Sequence, residues 1–139
     1  MERSENNKAA VDSIQLLLVD DEKDYVNVLK NRLGKRGMSV AKAYSGEQAI
    51  FAVRNRDFDV AVVDLKMEDM DGLEVLKILK KMDPRLSILM LTGHGSQEAA
   101  QTGIELGAFD YLTKPCMLDE LVEKIQQAYQ AKKDAAGPE

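Results

Sequence analysis

The sequence holds one cysteine, Cys116, and one histidine, His94. A lone thiol cannot close an internal disulfide, and no Cys/His cluster offers a zinc pattern. Disulfide-stapled extracellular miniproteins are therefore excluded and a reduced, cytoplasmic setting is expected. Positive charge is also short, with 19 Lys and Arg against 24 Asp and Glu and a formal net charge of -5. That balance discourages capture of nucleic acid or an anionic membrane, so neither is an expected partner. The opening run MERSENNKAAVD lacks the apolar stretch of a signal peptide or a membrane span, and residues 1–13 are expected to form a flexible N-terminal arm. Neither GxGxxG nor GxxxxGK[ST] occurs, which removes the dinucleotide fold and the nucleotide P-loop. No repeat recurs at solenoid spacing.

What is present suits one domain: 139 residues, 45% of them hydrophobic, can build a core without staples. The domain is expected over residues 14–130, with residues 131–139 a flexible tail or linker stub because Lys132 to Glu139 is charged, small and closed by Gly-Pro. Five short apolar runs read as strands: Ile14–Val19, Met38–Ala43, Val60–Asp64, Ile88–Leu91 and Phe109–Thr113. The first, third and fourth are almost continuously Val, Ile, Leu and Ala, as strands buried on both faces of a parallel sheet must be. Helical patterns lie between them. Tyr25, Val26, Leu29 and Leu33 are spaced for one face, and Gly37 stops that helix. Ser45 and Gln48 form a capping-box pair, and Leu73, Leu76 and Leu79 line a third helix that must end before Pro84. Ser96 can cap a fourth helix closed by Gly107, and Leu118, Leu121, Val122, Ile125 and Ala128 line a fifth. Strict alternation of strand and helix predicts right-handed crossovers and a doubly wound, three-layer α/β domain.

Ligands of open parallel sheets bind beyond the carboxyl ends of the strands. Those ends are polar here: Asp20-Asp21 after the first strand, Asp64 after the third, Thr92 after the fourth, Lys114-Pro115 after the fifth. Taken singly, Asp20 or Asp21 could cap a helix, Thr92 could be a turn hydroxyl and Lys114 a solvated cation. Together they converge on one rim. Three gathered carboxylates repel one another and raise their own pKa values unless a cation joins them, which implies a divalent metal. All-oxygen ligands suit magnesium, and Lys114 and Thr92 would complement a phosphoryl group, for which an Asp carboxylate is an accepted nucleophile.

DD at 20–21, VVDLKM around Asp64, DG at 71–72, LTG at 91–93 and YLTKP at 111–115 closely resemble the receiver domains of two-component response regulators, in that family's order. The resemblance runs from about Ile14 to Tyr129. It implies a five-stranded, flavodoxin-like sheet of order 2-1-3-4-5 and a phosphoacceptor at Asp64, fed by a sensor histidine kinase or a histidine phosphotransfer protein. Magnesium would be held by Asp21, Asp64 and the main-chain carbonyl of Lys66, with Asp20 acting through metal-bound water. Lys114 would pair with the phosphoryl oxygens, and Thr92 would move to hydrogen-bond one of them. Tyr111 would turn inward behind Thr92, and the peptide before Pro115 would be cis. Phosphorylation would then remodel the face of the fourth helix, fifth strand and fifth helix, bearing Gln101, Glu105, Asp110 and Glu123. A downstream target, an output domain or a second copy in a homodimer would dock there. GHGS and AFDYLTKP look similar to receivers attached to AAA+ transcription activators, so a single-domain regulator and a fragment of a longer one both stay open.

One position departs from the family pattern. Where many receivers have proline four residues after the acceptor, this chain has Glu68, followed by Asp69 and Asp71, which is expected to add negative charge near the metal. His94 reads as a surface loop residue, and Cys116 as an apolar filler rather than a redox switch. Rival functions fare less well. A haloacid-dehalogenase phosphatase needs a second Asp two residues after the nucleophile, where this chain has Lys66. An FMN protein needs a phosphate loop where Asp20-Asp21-Glu22 would repel phosphate, and a protein-interaction module without phosphorylation remains open.

Overall fold

The computed structural model describes residues 13–93 and 97–136. Five strands, β1 (Gln15–Val19), β2 (Ser39–Ala43), β3 (Val60–Asp64), β4 (Ser87–Thr92) and β5 (Asp110–Thr113), pair in parallel in the order β2-β1-β3-β4-β5. They alternate with α1 (Lys23–Lys35), α2 (Gly46–Asn55), α3 (Gly72–Met82), α4 (Gln97–Glu105) and α5 (Leu118–Ala136). The expected flavodoxin-like order is observed.

A strand turns successive side chains to opposite faces, so each continuous apolar run feeds two cores at once. Leu16, Leu18, Val60, Val62, Leu89 and Leu91 pack with Val26, Leu29 and Leu33 of α1 and Leu121, Val122 and Ile125 of α5. Their neighbours Leu17, Val19, Ala61, Val63, Ile88 and Met90 pack on the other face with Ala49 of α2 and Val75, Leu76 and Leu79 of α3. At about 1.5–3 kcal/mol for each fully buried large apolar side chain, these two layers supply the main drive to fold. β2 and β5 are the edge strands, and β2 is only half-buried for most of its length.

The punctuation works largely as the sequence implies. Gly37 and Gly107 take φ of 94° and 113°, the left-handed region that glycine tolerates, just after α1 and α4. Ser45 Oγ accepts from the Gln48 N–H at 3.0 Å, while Gln48 Oε1 accepts from the N–H of Tyr44, one residue before the cap, at 2.7 Å. α3 ends at Met82, two residues before Pro84. The proposed caps and loops at His94 and Ser96, and the arm over residues 1–12, lie outside the described residues.

One boundary is corrected. Residues 131–136, assigned to a tail, continue α5. No helix breaker intervenes before Gly137, and Lys132 reaches back to the sheet, donating to Asp59 Oδ1 at 3.0 Å and to the Phe58 carbonyl at 3.4 Å. Strand ends differ by a residue or so: Phe109 precedes β5, although its N–H already donates to the Ile88 carbonyl at 2.7 Å. Among the described residues no helix is long and apolar enough to cross a membrane.

Candidate functional site

The order β2-β1-β3 means that the chain winds one way from β1 and the other way from β3, opening a crevice at their carboxyl ends. Val19 of β1 is in register with Val63 of β3, so the residues that follow, Asp20 and Asp64, come side by side. Asp64 in turn stands beside Leu91, one residue before Thr92, and Thr92 beside Thr113, one before Lys114. Four chain segments far apart in sequence thus deliver their polar residues to one rim. Among the described residues the buried polar side chains are three, Asp20, Asp64 and Thr92, at 3%, 6% and 2% exposure, and all three lie here. Burying polar groups costs free energy, and the fold concentrates that cost in one place.

Asp20 is held on both sides: Oδ1 accepts from the Glu22 N–H at 3.0 Å and Oδ2 from Lys114 Nζ at 2.9 Å. Asp21 Oδ2 accepts from the Glu68 N–H at 3.0 Å. Asp64 has weaker company, a 3.4 Å bond from the Lys66 N–H and Lys114 Nζ at 3.8 Å. Burial first, and then the neighbouring charge of Asp20, push the Asp64 pKa up to about 6. Lys114 shows the reverse balance. Burial alone would lower its pKa, but hydrogen bonds to Asp20 and Glu22 and the charges of Asp20 and Asp64 raise it, so it stays an ammonium.

One ammonium does not balance this group. Oxygens of Asp20, Asp21 and Asp64 all lie within 4.8 Å of one another, and such an all-oxygen set could hold a hard divalent cation. Lys66 itself is exposed, and the peptide between Lys114 and Pro115 is cis, as expected. Thr92 Oγ1 sits 3.5 Å from the Leu112 carbonyl, at the limit of a hydrogen bond, so its hydroxyl is not firmly committed. Tyr111 is half-buried against the apolar layer that holds α2 and α3. On the face proposed for docking, Gln101, Glu105 and Glu123 are exposed, whereas Asp110 is engaged by Lys124 and by the Tyr111 N–H.

The acidic loop after β3 needs correction. Asp69 and Asp71 do not add free charge at the rim: Asp69 accepts from the N–H groups of Gly46 and Glu47 at 3.0 and 3.2 Å, and Asp71 from that of Leu73 at 3.1 Å. Each carboxylate thus meets the positive end of a helix, α2 or α3. Gly72 explains the DG pair, since a Cβ there would lie 2.5 Å from Leu65 Cα and 2.6 Å from the Asp64 carbonyl oxygen. The loop closes too tightly for any side chain. Sequence reasoning missed Glu22 and Tyr25, which surround Lys114. Glu22 Oε1 lies 2.9 Å from Nζ, and the Tyr25 ring centroid 4.8 Å from it. Cys116 is half-buried beside them, and burial raises its thiol pKa, which favours the protonated form.

Acids facing a lysine thus line a crevice at the switch point of this sheet order, and the chain that builds it matches a family model, the response regulator receiver domain, over residues 16–126. The chain belongs to that family. Among curated proteins, this receiver domain is 39% identical over 115 residues to the transcriptional regulatory protein ZraR of Salmonella typhimurium, covering 83% of this chain and 26% of ZraR. The chain thus spans about a quarter of the length of the curated relatives it first matches. Among solved structures, the receiver domain is similar to that of the Francisella response regulator 1452, at 31% identity and a TM-score of 0.79, covering 86% of this chain and 98% of that one. It is also similar to a CheY-like receiver domain protein from Methanospirillum hungatei, at 28% identity and a TM-score of 0.84, covering 88% of this chain and 98% of that one.

Proposed function

We propose that this receiver is a phosphoacceptor switch of a cytoplasmic two-component pathway, charged at Asp64 by a histidine kinase or a histidine phosphotransfer protein. One observation carries the reading. Asp64 is a buried carboxylate whose nearest ammonium among the described residues, that of Lys114, stands 3.8 Å away and is held closer, at 2.9 Å, by both Asp20 and Glu22. A purely structural carboxylate would be expected to take the salt bridge for itself.

In the proposed reaction an Asp64 oxygen attacks the phosphorus of phosphohistidine, forming a P–O bond as the P–N bond breaks. The electron pair of the broken bond stays on the imidazole nitrogen, and the product on this chain is an acyl phosphate. With its pKa near 6, Asp64 is mostly ionised and nucleophilic at neutral pH. Lys114 is within reach of the phosphoryl oxygens as their counter-charge, and the loosely bonded Thr92 hydroxyl is free to donate to another. The oxygens of Asp20, Asp21 and Asp64 suit magnesium, which Asp21, Asp64 and the Lys66 carbonyl would hold directly and Asp20 through water, and which would supply charge neutralisation for the transferred group. New oxygens on Asp64 would draw Thr92 inward and let Tyr111 follow, changing the surface of α4, β5 and α5 on which a target, an output domain or a second copy docks.

The test is intact mass after incubation with magnesium and a small phosphodonor. One phosphoryl group should appear on the wild type and none on Asp64→Asn; equal uptake by both would overturn the assignment.

A further inference from the structure

Lys114 has three N–H donors and two bonded partners, Asp20 and Glu22, both at 2.9 Å, while Asp64 waits at 3.8 Å. One N–H is left over, so for the ammonium to turn more than one N–H to a phosphoryl group on Asp64, one of those partners must yield. The two are not equal. The Asp20 carboxylate is 4% exposed, is also tied to the Glu22 N–H, and sits among other buried acids, so losing its cation would strand a charge. The Glu22 side chain is 64% exposed and can return to water at little cost. Meanwhile the Tyr25 ring, 4.8 Å from Nζ, supports the ammonium from another side whichever acid it faces.

We propose that Glu22 is a releasable counter-ion that draws Lys114 away from Asp64 before phosphorylation, and so acts through Lys114 as a positioning residue that sets the rate of phosphoryl uptake. The proposal rests on the reading of Asp64 as acceptor and goes beyond it. Glu22 touches neither Asp64 nor the group to be transferred; it competes with them for the same donor. While the latch is closed, Lys114 offers one N–H less to the phosphoryl oxygens.

The experiment compares initial rates of phosphoryl uptake from phosphoramidate, with saturating magnesium, in wild type, Glu22→Gln and Glu68→Gln. Glu68 is exposed on the same rim and its side chain makes no bond to Lys114, so its variant removes a nearby charge without opening the latch. Glu22→Gln should be faster by about two- to fivefold, the size of an exposed ion pair, and Glu68→Gln should gain much less. Raising salt should narrow the gap between wild type and Glu22→Gln, because screening opens the same latch. A structural role alone would move the thermal midpoint but not this salt-dependent rate difference. An unchanged or slower Glu22→Gln, or an equal gain in Glu68→Gln, overturns the latch. No uptake by folded wild-type protein would instead overturn the reading of Asp64, and the latch with it.

Discussion

The two ends of the sheet each hold an aspartate–lysine pair, and they differ in arithmetic. At the amino ends of the strands, Lys132 meets Asp59 at 3.0 Å, and the second Asp59 oxygen takes the Gln15 N–H at 2.9 Å, so both members of this pair are satisfied. At the carboxyl ends, Lys114 meets Asp20 at 2.9 Å but shares itself with Glu22, with Asp64 close by and Asp21 in the same cluster. The same two side-chain types make a clasp at one pole and a deficit at the other. What marks a working site is a local charge balance that the protein leaves open.

The sharpest way to break that comparison is to remove one acid from each pole. Asp64→Asn should abolish phosphoryl uptake altogether, whereas Asp59→Asn should leave it intact; loss of uptake in both variants would mean that the poles are not functionally distinct. Stability should respond in the opposite sense. The folded-state pKa of Asp64 is raised from 3.8 to about 6, so the folded form holds this proton more tightly than the unfolded chain. Stability from this group is therefore greatest below its unfolded pKa, falls as pH rises through about 6, and stays low above it. Without magnesium, Asp64→Asn should stabilise the protein at pH 8 by on the order of 2 kcal/mol, with the gain vanishing near pH 4, measured by urea unfolding.

A smaller effect concerns the cation. Asp21→Ala should weaken magnesium binding by about tenfold, roughly 1.4 kcal/mol, while Glu22→Ala should change it little, because Glu22 faces Lys114 rather than the acid cluster. Comparable losses in a calorimetric titration would merge the two roles. The smallest change is expected at the balanced pole. Asp59→Asn should cost about 1 kcal/mol in unfolding free energy, since the amide still accepts the Gln15 N–H and only the partly exposed ion pair is lost.

Much of this was legible in the chain itself, for a physical reason. Strands such as Val60–Asp64 are apolar until their last residue, and a lone acid at the end of a doubly buried strand can only project from the sheet's edge. Asp20, Thr92 and Lys114 follow the same logic, so the rim could be assembled without coordinates. What could not be read were contacts closed by folding. Glu22 and Lys114 are 92 residues apart, and nothing local tells an acid after Asp20-Asp21 to face a lysine rather than water. Asp69 capping α2 from across the rim is the same kind of event, as is Lys132 reaching Asp59 and holding the last turns of α5 in place. Composition made the end of that helix look loose; a long-range ion pair made it regular.

That last tie has a mechanical corollary. α5 starts a few residues after the cis peptide at the acidic rim and runs 19 residues, about 28 Å, to the opposite pole, where Lys132 fastens it to the foot of β3. The helix is thus held along its length, by Leu121, Val122 and Ile125 in the core and the Arg36–Asp119 ion pair in its first turn, and by Lys132 at the opposite pole. It is a strut between the two poles of the sheet. A change at the rim that reached α5 would meet a rod braced at both ends, so it would be passed on as a shift of the whole helix rather than absorbed in one loose turn.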